Sequence, residues 1–148
     1  MQNPVCLIPE RLIPVCRDQD KYHIPYFKHQ ELACSKTGIV KLAAGFADKL
    51  IELRTNLAKP MIVTSCCRSI QHNRKIGGNP NSFHIYDESP HKTNGTCAID
   101  ISITNSYSRG QLTTLAWNLG WSVGIAKNFV HLDRRIDHTH LKQALFLY

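Results

Sequence analysis

Residues 97–103 constrain the fold most, because their pattern has a period of two: Cys97, Ile99, Ile101 and Ile103 share one face, and Ala98, Asp100 and Ser102 the other. Such a stretch is a strand with one face in a core and a lone acid on the opposite, polar face. Residues 129–133 repeat the pattern, with Phe129, His131 and Asp133 on one face and Val130 and Leu132 turned inward. The turn Ala126-Lys127-Asn128 joins them to a further strand over residues 121–125. The chain therefore builds a sheet that carries ionisable groups on one side.

Helical spacing fills out the rest. Ile39, Ala43, Phe46, Leu50, Leu53 and Leu57 fall in steps of three and four, which predicts one helix from Ile39, capped by Ser35 or Thr37 and ended by Lys59-Pro60. A second helix is expected over residues 108–119, with Leu112, Leu115, Ala116 and Leu119 inward and Gly120 at its end. Between them, residues 61–65 read as a short buried strand and residues 69–76 as a polar helical turn stopped by Gly77-Gly78. A loop then runs to about Thr96. Residues 1–30 are punctuated by proline and read as an irregular arm, anchored by Tyr22, Ile24, Tyr26 and Phe27. No repeat or linker divides the 148 residues, so the expectation is a single domain over residues 1–148. Its class is α+β, with a small, mainly antiparallel sheet and two main helices.

No run approaches the eighteen or so apolar residues of a membrane span. The N-terminus lacks a cationic opening, and Pro4, Pro9, Glu10, Arg11 and Pro14 interrupt any signal core, so synthesis in the cytoplasm without a signal peptide is expected. Eighteen Lys and Arg against eleven Asp and Glu give +7, which favours anionic partners. The basic residues form no stripe, the longest run being Arg134-Arg135, which argues against a nucleic-acid reader. A monomer is expected. The six cysteines (Cys6, Cys16, Cys34, Cys66, Cys67, Cys97) contain no CxxC and read as reduced, mostly buried thiols.

The chemistry concentrates at three places: His84 in the loop, Asp100 on its strand, and His131 with Asp133 on theirs. Burying carboxylates beside imidazoles is costly unless a cation offsets it. Two His and one Asp, with a fourth position open, form the donor set of a catalytic zinc ion, which acidifies a bound water to a pKa of ~7 and polarises a carbonyl. Spacing alone leaves a second reading, in which His84 is an ordinary loop residue and Asp100 pairs with Arg68.

The order of the motifs adds to this. Val63-Thr64-Ser65-Cys66-Cys67-Arg68-Ser69, then Asn73, Gly77-Gly78, Asn81-Ser82-Phe83-His84, Gly95-Thr96-Cys97-Ala98-Ile99-Asp100-Ile101 and Phe129-Val130-His131-Leu132-Asp133 stand in one succession. Over roughly residues 22–135 this resembles the peptidoglycan zinc peptidases of the D-alanyl-D-alanine carboxypeptidase family, in particular its small endolysin-type members from phages and bacteria. The resemblance implies a hedgehog/D,D-peptidase-like fold and a Zn2+ ion held by His84, Asp100 and His131. It implies that Arg68 faces a substrate carboxylate or the developing oxyanion, and that Ser82 contacts the substrate. The implied activity is hydrolysis of an amide bond in peptidoglycan stems or cross-links, on the cell wall after release from the cell. A protein of the same fold that binds wall or virion without turnover is the alternative.

The chain departs from the family pattern in three ways. Relatives place the ligand Asp about seven residues after the His, whereas sixteen positions separate His84 from Asp100. The insertion makes His91 a rival ligand to His84, and the His138-Thr139-His140 pair beyond the final strand is a rival to His131. Cys66-Cys67 replaces the usual Gly-Tyr. The general base of relatives, an acid three residues or a His two residues before the last ligand, falls here on Asn128 and Phe129. Asp133 is then either the base or an orienter of His131, with Asp87, Glu88 and His91 as other candidates for the base.

Overall fold

The computed structural model describes residues 24–148 and the backbone of residues 15–16. Of the expected arm, Tyr22, the proline-rich start, Cys6 and the side chain of Cys16 lie outside the described residues. Ile24 and Phe27 are buried anchors, as expected. Tyr26 is not: it is 56% exposed and offers its ring to the Arg54 guanidinium, 4.4 Å from the ring centre.

Strand β1 (Val15–Cys16) pairs antiparallel with β2 (Val40–Lys41), and a short helix α1 (His29–Leu32) lies between them in sequence. The helix expected from Ile39 starts later, at Phe46, as α2 (Phe46–Leu57). Val40 and Leu42 are both fully buried, which an extended segment achieves by turning alternate residues to one inward face, and Gly45 (φ 78°) turns the chain into the helix. The helix ends on Ala58, just before Lys59-Pro60.

Strand β3 (Val63–Ser65) occupies one sheet edge rather than the interior, and Ile62 beside it is 66% exposed. Helix α3 (Ile70–Lys75) starts on Ser69, whose hydroxyl accepts the His72 N–H. Strand β4 (Ala98–Ser102), helix α4 (Ser106–Asn118), and the hairpin of β5 (Ser122–Ile125) and β6 (Phe129–Asp133) follow the expected order. Two C-terminal elements have no counterpart in the expectation: a one-turn helix α5 (Arg135–His138) and strand β7 (Leu145–Leu147).

The main sheet runs β3-β4-β6-β5-β7, antiparallel except for the β5–β7 pair. The fold is α+β with two long helices. Phe46, Leu50 and Leu53 of α2 and Leu112 and Ala116 of α4 are buried in one core with Ile99, Val123, Val130 and Leu132, each such side chain supplying ~1.5–3 kcal/mol. Phe46 meets Trp121 edge-on at 5.6 Å. Alternation sends the neighbouring residues of the same strands to the other face, where the ionisable groups sit.

Candidate active site

Strand register decides which of these groups meet. Ser65 pairs with Asp100, Asp100 with His131, His131 with Gly124, and Gly124 with Phe146, so five strands contribute one residue each to a single row across the sheet. Asp100 and His131 are direct cross-strand neighbours, and the His131 Nδ1 lies 2.9 Å from Asp100 Oδ1.

His84 reaches the row from the loop. Its carbonyl accepts from the Arg68 N–H and the Thr96 hydroxyl, and its own N–H donates to Ser82 Oγ. The Nδ1–H donates to the Cys66 carbonyl at 2.7 Å, which leaves Nε2 unprotonated and 3.1 Å from Asp100 Oδ1. His84, Asp100 and His131 are all buried, and among the described residues they are the one group of His, Cys, Asp and Glu whose donor atoms converge, all within 4.8 Å of one another. The tautomers fit a zinc ion: each ring has one nitrogen engaged by a fixed partner and the other turned toward the shared point.

Asp133 holds the far side of His131. Its Oδ2 lies 2.9 Å from His131 Nε2, and its two oxygens accept from Arg135 at 2.9 and 2.7 Å. The carboxylate is fully buried and pairs with the nitrogen of His131 that points away from Asp100. Asp133 thus bridges the outward nitrogen of His131 and the Arg135 guanidinium. Burial opposes charge on the carboxyl, but Arg135 and His131 override it and hold its pKa below the ordinary value. Burial likewise opposes charge on His131, and its bonds to Asp100 and Asp133 override that, raising its pKa.

Arg68 flanks the row on the β3 side. Its Nε donates to Ser65 Oγ and its Nη1 to Asn73 Oδ1, both at 3.0 Å, while Nη2 lies 3.5 Å from Asp100 Oδ2. Thus Asp100 meets both the imidazoles and Arg68, through different oxygens. Gly78 makes room for this: a Cβ there would stand 2.2 Å from Asn73 Oδ1 and 3.1 Å from Arg68 Nη1. Ser65, Asn73 and Gly78 had no role assigned from sequence, although the Asn and the Gly-Gly pair stand in the motif order.

Beside His131 a groove of about 450 Å3 is lined by Ser82, Phe83, His91, His131, Arg135 and Tyr148, among others. Ser82 therefore lies where a substrate can touch it. The rival ligands lie elsewhere. The His91 ring stacks on Phe83 at 4.3 Å with its Nε2 3.0 Å from the Asn81 carbonyl oxygen, and His140 is exposed. Asp87 Oδ1 accepts the Ile70 N–H at the start of α3, and Glu88 is exposed. Cys66 and Cys67 are buried and free, as are Cys34 and Cys97. Cys66 serves the site through its carbonyl, and the Cys67 N–H donates to Leu32.

Comparison with curated proteins and with solved structures gave no match. The family description Peptidase M15 matches residues 25–133, more than half of the chain, ending at Asp133. With the His84, Asp100 and His131 donors brought together inside that span, the chain belongs to the peptidase M15 family of zinc peptidases.

Proposed function

We propose that the protein hydrolyses an amide bond in the peptide stems or cross-links of bacterial peptidoglycan, as an endolysin-like carboxypeptidase or endopeptidase. The observation that carries this is the convergence of His84, Asp100 and His131 beside Arg68, in a metallopeptidase family. Zinc, when bound there, supplies a Lewis acid and an acidified water. The chain's own residues do the rest. Arg68, its fork set by Ser65 and Asn73, binds a substrate carboxylate or the oxyanion. Ser82 lines the approach. The basic surface, +7 overall, suits acidic wall polymers, and we place the enzyme's work on the wall after release, in phage or prophage lysis. The test is incubation of zinc-loaded protein with purified wall, followed by mass spectrometry of the fragments. New amino and carboxyl termini in stem peptides are expected, and intact stems would reject the reading.

Asp133 acts in this reading as a positioning residue. Asp133→Asn should weaken zinc binding by about 10–100-fold, and excess zinc should restore the rate. Competitive titration with a chromogenic chelator, alongside the rate, checks both. A fall in turnover with undiminished zinc affinity would instead make Asp133 the base.

One observation favours the second reading, a zinc-containing wall-binding or virion protein without turnover. Asn128 and Phe129 stand where relatives carry the base, and Asp133 is turned away and occupied by Arg135. Zinc content near one per chain with no clearing of wall suspensions would select this reading.

A further inference from the structure

The row across the sheet ends in two residues that no metal chemistry uses, Gly124 and Phe146. Gly124 lacks the side chain that would continue the row. A Cβ there would lie 2.5 Å from Phe146 Cε2, 2.7 Å from its Cζ and 2.8 Å from Tyr148 Cε2, so the two rings occupy that space. The Tyr148 N–H donates to the Ile125 carbonyl at 2.9 Å, which pins the backbone. The residue is nevertheless 68% exposed, and its ring stands edge-on to His131 at 6.0 Å and to Phe129 at 5.2 Å. An exposed aromatic ring with a fixed backbone, beside a buried ligand, is preorganised to meet something from solution.

The groove it borders opens beside His131, and Asn79 on its rim accepts through its carbonyl from Asn73 Nδ2, the residue that also holds Arg68 Nη1. Phe146, Leu147 and Tyr148 form one wall, and Asn79, Asn81 and Ser82 the other. Arg135, which also lines it, has its charge matched by Asp133 and sits between the Phe83 and Phe146 rings, 5.0 and 5.3 Å from their centres. Amide and hydroxyl groups thus face aromatic rings, with no uncompensated carboxylate or guanidinium. This is the lining that suits an uncharged stretch of peptide, its amide groups toward the asparagines and its apolar side toward the rings. The wall also lies beyond Asp133, where the matched family span ends.

We propose that β7 is a substrate-binding element of this chain, and that Phe146 and Tyr148 hold an uncharged peptide segment of the substrate beside the metal ligands. The proposal rests on the peptidase reading for the identity of the substrate, and places an uncharged part of it against Phe146 and Tyr148.

The test uses the zinc-loaded full chain with soluble stem peptides, reading binding by calorimetry and turnover by chromatography. Tyr148→Ala should raise Kd and KM by about tenfold, the weight of a lost aromatic contact, with kcat within about threefold of the parent and zinc content and Tm unchanged. Tyr148→Phe should restore both constants. Gly124→Ala, which displaces the rings without removing them, should raise KM while zinc is retained. A peptide with glutamate in the segment facing Tyr148 should bind more weakly than the neutral one. Unchanged Kd in Tyr148→Ala, loss of zinc in that variant, or tighter binding of the glutamate peptide would each overturn the proposal. If the parent binds the peptide in a Tyr148-dependent way without cleaving it, the groove assignment stands and the hydrolase reading falls. If it neither binds nor cleaves, both fall.

Discussion

His84→Ala should abolish zinc binding and wall hydrolysis together. The side chain supplies one of three convergent donor atoms, and its other nitrogen is held by the Cys66 carbonyl. Two donors from Asp100 and His131 are too few to hold zinc against water. The change also strands the buried Cys66 carbonyl, a cost of ~1–3 kcal/mol, so Tm should fall even in metal-free protein. Inductively coupled plasma analysis should read about one zinc per parent chain and background in the variant, with wall clearing lost in parallel. His91→Ala is the matched comparison. Its ring stacks on Phe83 outside the donor cluster, so zinc should be retained. The reverse pattern, zinc lost with His91 and kept without His84, would show that the inserted loop supplies the ligand.

The alternation of residues 97–103 and 129–133 is enough to place Asp100 and His131 on one kind of face, because a period of two is a local property that survives any tertiary context. It does not say that they touch. That follows from the β4–β6 register, Asp100 against His131, which is set by long-range pairing and leaves no local mark. The start of α2 failed for a different reason. Ile39 and Ala43 fit helical spacing, but Val40 and Leu42 are buried too, in an extended segment tied to β1 and to Thr96. Two short periods overlap there, and only Gly45 marks the boundary. Strand β7 was unreadable because Leu145 and Leu147 are exposed and its partner β5 lies some twenty residues away, in parallel. Asp133 was placed on the right face, yet its partner Arg135 stands two residues along and outside the motif. In each case the residue's chemistry was readable, and its partner was decided by chain contacts that have no sequence period.

Arg68→Lys should fold and keep its zinc yet lose most turnover. The guanidinium spends Nε on Ser65 and Nη1 on Asn73, and these bonds aim Nη2 toward Asp100 and the ligand row. A lysine ammonium is a single point with three donors and no plane. It can satisfy Ser65 or Asn73, or face the substrate, but it cannot do these in the fixed geometry the fork provides. Losing one such preorganised donor costs ~2–4 kcal/mol of transition-state stabilisation, which is about 30- to 1,000-fold in rate. Zinc should be retained because the metal's donors come from His84, Asp100 and His131. Steady-state rates on a soluble stem peptide, normalised to measured zinc, separate the two effects. If Arg68 binds a ground-state carboxylate, KM rises and kcat holds; if it meets the oxyanion, kcat falls with KM little changed. Near-parent values of both would leave Arg68 with only its structural bonds to Ser65 and Asn73, and the oxyanion would need another partner on the β3 flank.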